Sequence, residues 1–200
     1  MKTKILVTLI CISISLVANA QWSVGAGLGP SFPVTGYGQV VETGVQIFNL
    51  QGKHTLGKGK LLLGADIQMA RFSEDKNPTD AYYESKLTVA PVIFTLDYQM
   101  NLSHKLQPYI TYGLGLSFFV FSYTSSPTEI DDQSIFNVSF SMMPALGLKY
   151  QASSHLYPFV ETGLVLLMDG PPVGFPEGEH VTGYEFVTIG LMYKFVKQNQ

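Results

Sequence analysis

The chain has 200 residues and a formal net charge of −3, and only 14% of its residues are charged. An ordinary soluble domain contains roughly 25% charged residues. The mean hydropathy is positive, at +0.19, although no long apolar run follows the first 20 residues. Such a chain must distribute its apolar residues by alternation, which is typical of β-strands. The mild acidity and the absence of basic clusters exclude a nucleic-acid-binding protein.

The first 20 residues have the features of a secretory signal peptide. Lys2 and Lys4 precede the apolar run 5–17, which ends just before Ala18-Asn19-Ala20. A basic start, a short apolar segment and an A-x-A site are the parts of a cleaved leader. The run is shorter than the roughly 20 residues of a membrane-spanning helix. We therefore expect cleavage of residues 1–20, which also removes the only cysteine, Cys11, and a single barrel domain over 21–200.

Eight segments with strand character follow, separated by turn-forming residues. The predicted strands lie near 21–32, 39–50, 60–72, 83–100, 107–122, 134–150, 156–168 and 181–196. In the clearest one, Ile110, Tyr112 and Leu114 alternate with small or polar residues. Side chains alternate faces along a strand, so one face is bulky and apolar and the other is small and polar. The pattern predicts an antiparallel up-and-down β-barrel of about eight strands.

The predicted connections alternate in length. Residues 101–106 and 151–155 form short turns, whereas 73–82, 123–133 and 169–180 form longer polar loops. Outer-membrane barrels show this asymmetry, with short periplasmic turns and long external loops. The predicted turn at 51–59 is longer than the other turns.

The orientation of the two strand faces decides between a membrane barrel and a soluble one. Small side chains suit the narrow interior of an eight-stranded barrel, and the bulky face then meets lipid. A soluble periplasmic lipocalin-like carrier, the alternative, requires the opposite orientation. Five charged residues share the inward phase and predict a polar network in the lumen, either as a salt-bridge plug or as the path of a gated pore: Asp66, Asp97, Lys149, Glu161 and Lys194.

Aromatic residues on the apolar face recur at the strand ends assigned to the periplasmic side. An aromatic girdle occupies this position in outer-membrane barrels. The predicted girdle residues are Trp22, Tyr98, Tyr150, Tyr193 and Phe195.

No sequence motif for catalysis or phosphate binding is present. His54, His104 and His155 fall in predicted turns at one end, where they are either a divalent metal site or solvated turn residues. A Ser/His/Asp set in the outer loops is conceivable, which leaves an outer-membrane enzyme as an alternative. We predict no catalytic residue, no cofactor and no metal ion.

The strand patterns of 108–118 and 158–166, with the closing segment 190–195, resemble the OmpA/OmpX-like outer-membrane β-barrel family. We predict a monomer in the outer membrane of a Gram-negative bacterium, with a structural or surface-interaction role through its external loops and an unknown external partner. In the family, the aromatic-ended last strand is recognised by the barrel-assembly machinery, and Tyr193 and Phe195 fit that role. A narrow pore or transport component is the alternative function.

Overall fold

The computed structural model describes residues 21–34, 43–56, 59–76, 83–100, 105–124, 133–168 and 182–195. The predicted signal peptide lies outside the described residues. The strands are β1 (Trp22–Val34), β2 (Thr43–Leu56), β3 (Leu61–Lys76), β4 (Tyr83–Gln99), β5 (Leu106–Thr124), β6 (Gln133–Tyr150), β7 (Leu156–Leu167) and β8 (Thr182–Lys194). Each strand pairs antiparallel with the next, and β8 pairs with β1. The predicted eight-stranded antiparallel barrel is confirmed.

The barrel has two distinct ends. The turn end carries Gln21, the short connections after β2, β4 and β6, and Phe195; the loop end carries the other connections. In the part of the chain that the structure describes, no helix is long and apolar enough to cross a membrane.

The predicted bounds of the second strand were wrong at its C-terminal side. Residues 51–56 belong to β2 and not to a turn. Gly59 lies in the connection to β3 and has a φ of 87°, a conformation that glycine adopts without steric cost. The β2–β3 register shifts between Gln46 and Phe48. A β-bulge of this kind changes which residues face inward, so alternation read from the start of the strand fails after it. Similarly, residues 73–76 extend β3 and are not part of a loop.

The bulky faces of the strands point outward. Leu114 is 42% exposed and Ile189 is 65% exposed, whereas Ser141 and Thr188 are fully buried. An outward apolar face and a closed strand edge are what a bilayer requires of a β-structure. The described strands do not show the reverse orientation that a soluble lipocalin-like carrier requires.

The loop-end half of the lumen is filled by an apolar layer. Its members are fully or almost fully buried and include Phe72, Leu87, Val89, Phe119, Phe121, Val165, Leu167, Tyr184 and Phe186. The expectation of a small, polar inner face is therefore wrong for this half. The strands have 12 to 19 residues, more than the roughly 9–11 that cross a bilayer. Their loop-end segments bury apolar side chains in the interior as a soluble barrel does.

Proline interrupts the pairing of the wall between β6 and β7. Pairing between β6 and β7 stops between Met142↔Leu166 and Ala145↔Gly163. Pro144 lies in this gap, and a proline has no N–H to donate to a neighbouring strand. An outward-facing groove of about 490 Å³ lies over the gap; its lining includes Ile110, Tyr112, Leu146 and Leu164.

Candidate functional site

An ionic cluster crosses the turn-end half of the lumen, with Lys53 at its centre. The Lys53 ammonium lies 2.9 Å from Asp66 Oδ1 and 3.2 Å from Asp97 Oδ1, and all three side chains are fully buried. Lys53 also donates a hydrogen bond of 2.9 Å to Thr95 Oγ1. One lysine from β2 thus bridges carboxylates on β3 and β4. Burial of this charge is offset by two ion pairs and by hydrogen bonds.

A second lysine extends the cluster toward β5 and β6. Thr111 donates a 2.9 Å hydrogen bond to Asp97 Oδ1, and Lys149 Nζ lies 4.0 Å from Asp97 Oδ2. The same ammonium sits 4.2 Å from the centroid of the Tyr109 ring, within the range of a cation–π contact. Asp97 is therefore shared by two lysines.

Glu161 on β7 extends the cluster to the opposite side of the lumen. Its Oε1 accepts a 3.3 Å hydrogen bond from Gln51 Nε2, which joins β2 to β7 across the lumen. Glu161 Oε2 accepts no hydrogen bond from a described residue, although the side chain is fully buried. The cluster therefore combines two lysines with three carboxylates.

Glycines on the inner face make room for these long side chains. A Cβ built at Gly147 would overlap the Tyr109 ring, and one built at Gly64 would lie 2.6 Å from the Lys53 side chain. The glycines on the inward-facing side of the strands therefore leave space for a few large side chains. These side chains fill the lumen, although the alternation alone suggested an interior lined by small residues.

The structure brings together four of the five predicted lumen residues. Asp66, Asp97, Lys149 and Glu161 lie in one cluster, whereas Lys194 is half-buried at the turn end and lines a small cavity. Sequence reasoning missed Lys53, because residues 51–59 were assigned to a turn. The signal was the alternation of Asn49, Gln51 and Lys53 with Leu50 and Gly52, which continues after the bulge and points the polar set inward.

The five aromatic residues of the predicted girdle are all exposed at the turn end: Trp22, Tyr98, Tyr150, Tyr193 and Phe195. The ring of His54, a strand residue and not a turn residue, lies 4.9 Å edge-on from Trp22. His155 stacks on Tyr193 at 5.6 Å. These two histidines therefore pack against girdle aromatics, and no described group of three or more His, Cys, Asp or Glu residues could hold a metal ion. His104 and His180 lie outside the described residues.

This geometry defines the class of the protein as the small, closed, eight-stranded antiparallel β-barrel. A major outer membrane protein of Thermus thermophilus is similar in structure, with 14% identity, a TM-score of 0.59 and coverage of 88% of this chain and 99% of the other. The attachment invasion locus protein Ail of Yersinia pestis, solved with the heparin analogue sucrose octasulfate, is also similar in structure. Its identity is 12% and its TM-score is 0.56, and the match covers 88% of this chain and 99% of the other. The outer membrane protein OprG of Pseudomonas aeruginosa has 17% identity and a TM-score of 0.54, and the match covers 89% of this chain and 97% of the other.

At these low sequence identities, the similarity to the solved structures shows the fold alone. The resemblance to OmpA/OmpX-like barrels that the strand patterns carry is confirmed at that level. No protein-family model and no curated protein matches the sequence.

Proposed function

We propose that the chain is an outer-membrane protein of a Gram-negative bacterium with a structural or surface-interaction role and no catalytic activity. In this proposal residues 1–20 direct export and are removed, and the barrel acts as a monomer that holds its external loops at the cell surface. The apolar outer face and the turn-end aromatic residues support the placement in a bilayer. Tyr193 and Phe195 of the closing segment serve as the signal for the barrel-assembly machinery.

The observation that carries this proposal is the filled lumen. The ionic cluster around Lys53 closes the turn-end half, and the apolar layer closes the loop-end half. The cavity at the turn end has a volume of only about 40 Å³, far smaller than a continuous aqueous path. A barrel with two successive barriers is suited to anchoring loops and not to conduction.

The long strands support the same proposal. β5 has 19 residues and β6 has 18, and they pair from Leu106↔Tyr150 to Tyr123↔Gln133. The length beyond the bilayer-spanning part lies at the loop end, where the buried Phe119 and Phe121 fill the interior. A packed rim of this kind fixes the starting points of the external loops, which reduces the entropy lost when they bind a partner.

Planar-bilayer recordings of the refolded full chain test the proposal. We expect no conductance steps above the lipid background, because each layer blocks ions independently. Regular single-channel steps in the wild-type protein would contradict a sealed barrel. Cell fractionation with heat-modifiable gel migration tests the location: the protein should be found in the outer-membrane fraction and change mobility on boiling.

The interrupted β6–β7 seam supports a second candidate function, the transport of apolar molecules. Met143 and Val165 belong to the buried apolar layer and lie at the gap. The groove outside the gap lies on the apolar outer face of the barrel. An apolar molecule could therefore pass from the loop end through the wall into the bilayer. Uptake of a fluorescent apolar probe into proteoliposomes distinguishes the two functions. Transport predicts faster uptake than in empty vesicles and slower uptake with Pro144→Val; the sealed barrel predicts neither.

A further inference from the structure

The charges of the chain are divided between the two ends of the barrel. Of the 15 Asp and Glu residues, three belong to the ionic cluster, which leaves 12, and all of these occur in the loop-end connections or the adjoining strand segments. The sequence around the turns and at the closing end contains five lysines and no Asp or Glu, in the segments 54–61, 98–107, 150–157 and 193–200. The turn end is therefore basic and the loop end acidic.

Two of the five lysines are exposed at the turn end in the part of the chain that the structure describes. They are Lys60, just before β3, and Lys105, just before β5, and we call this pair the basic rim. Lys194 is half-buried and lines the small cavity at the same end. Lys58 and Lys197 lie outside the described residues. The basic rim therefore places two exposed ammonium groups on two separate turns.

Hydrogen bonds of the backbone fix each rim lysine next to the aromatic girdle. The Lys60 carbonyl accepts a 2.7 Å hydrogen bond from the N–H of Gln99, the residue after the girdle residue Tyr98. The Lys105 carbonyl accepts a 2.8 Å hydrogen bond from the N–H of Gln151, which follows the girdle tyrosine at the end of β6. Because an aromatic girdle marks the level of the lipid headgroups, both lysines start at that level.

An apolar side chain follows each rim lysine on the outer face. Leu61 is 42% exposed and Leu106 is 40% exposed. Each turn thus presents an apolar group on the bilayer side and an ammonium on the water side. A phospholipid has the matching order, with acyl chains on one side and a phosphate on the other. This arrangement favours a lipid over a soluble polyanion as the partner of the basic rim.

We propose that the basic rim binds anionic phospholipid headgroups of the turn-end leaflet in preference to zwitterionic ones. The lysines attract the lipid phosphate in both classes. A zwitterionic headgroup also carries a cation, which the ammonium groups repel and which the carboxylate-free turn segments cannot pair. An anionic headgroup has no such cation. This inference rests on the proposed placement of the barrel in a bilayer.

Trp22 provides a built-in probe of the lipids at the turn end. It is the only tryptophan of the chain, it is 45% exposed in the girdle, and its ring lies 4.9 Å from that of His54, on the strand that leads to Lys60. Brominated acyl chains quench tryptophan fluorescence on contact. The full chain is refolded in mixed vesicles of phosphatidylcholine and phosphatidylglycerol, with one lipid brominated at a time. The two quenching curves give the relative affinity of the two lipids at this end.

We expect phosphatidylglycerol to be favoured about fivefold over phosphatidylcholine in the wild-type protein at low salt. The preference should disappear near 1 M salt, where the Debye length is about 3 Å. Lys60→Gln should reduce it at least twofold. The matched control, Lys86→Gln, removes an exposed lysine near the loop end and should leave it unchanged. Heat-modifiable gel migration in vesicles of phosphatidylcholine alone, where the rim has no anionic partner, establishes that each variant is folded.

Equal quenching of Trp22 by the two brominated lipids, or the same preference in Lys60→Gln and the wild type, would overturn the proposal. Quenching by neither lipid would contradict the placement in a bilayer itself, so failure of the inference and failure of the proposed function are distinguishable. Both leaflets of these vesicles have the same composition, so the result does not depend on the direction in which the barrel inserts.

Discussion

The Lys53 ammonium lies 2.9 Å from Asp66 Oδ1 inside the barrel, and neither side chain is exposed to solvent. The two residues sit on adjacent strands, where Lys53 pairs with Gly64 and Asp66 pairs with Gln51. Their contact is therefore diagonal, and it exists because the glycine opposite Lys53 has no side chain to block it. Lys53 also pairs with Asp97, so its removal would leave two buried carboxylates without their main counterion.

Lys53→Met should destabilise the barrel strongly. Removal of one partner of a buried ion pair typically costs about 3–5 kcal/mol, because the remaining charge is buried and uncompensated. Equilibrium unfolding by urea in lipid vesicles measures the difference. The matched control, Lys60→Met, removes an exposed lysine at the turn end and should leave the free energy of unfolding unchanged. Equal stability of the two variants would mean that the cluster contributes nothing to the fold.

Gly147→Ala should also destabilise the barrel, by overlap with Tyr109. Overpacking of a filled interior typically costs about 1–3 kcal/mol. A second change, Tyr109→Leu, removes the ring and should make the double variant more stable than the sum of the two single effects predicts. Gly52→Ala is the matched control, since a Cβ at Gly52 meets no atom within 4 Å. Additive effects of Gly147→Ala and Tyr109→Leu in urea unfolding would contradict the contact.

Phe119→Ala should lower stability without opening the barrel to ions. Phe119 is 2% exposed within the apolar layer, and Phe→Ala in a packed core typically costs about 3–5 kcal/mol. The ionic cluster still closes the turn-end half of the lumen, so planar-bilayer recordings should show no steps above background. Conductance in this variant alone would mean that the ionic cluster is not a barrier.

A charge on the outer face should be costly in a membrane and harmless in water. Ile189→Lys places an ammonium on a side chain that is 65% exposed, and Lys or Arg near the bilayer midplane costs about 2–4 kcal/mol in such barrels. Lys86, which is exposed near the loop end, provides the comparison: Lys86→Arg keeps a charge there and should change the stability in vesicles little. The unfolding free energy of Ile189→Lys would match the wild type only if that face met water.

The sequence predicted the fold well because most strands keep one phase throughout. In β5, the alternation of Ile110, Tyr112 and Leu114 with small residues holds as far as Phe118, and the outward set is apparent by inspection. The ionic cluster was partly predictable for the same reason, since Asp66, Asp97, Lys149 and Glu161 share the small, polar phase.

Three features were not predictable from alternation. The bulge in β2 changes the phase between Gln46 and Asn49, so Lys53 was assigned to a turn although it is the centre of the cluster. The apolar layer at the loop end arises where consecutive apolar residues, such as 118–121, supply both faces of one strand. Alternation cannot show which of two apolar faces is the inner one. The position of Lys194 at the turn end follows from where β8 ends, and strand ends are the least certain part of such a prediction.

The most direct test of the central claim, that the bulky face meets acyl chains, compares two isoleucines. In methyl-labelled protein in lipid nanodiscs, nuclear Overhauser effects report which methyl groups lie close to acyl-chain methylenes. Ile189 is 65% exposed and Ile93 is 0% exposed, so they differ in facing and not in residue type. We expect strong lipid cross-peaks to Ile189 and none to Ile93; cross-peaks to Ile93 with none to Ile189 would contradict the orientation of the whole barrel wall.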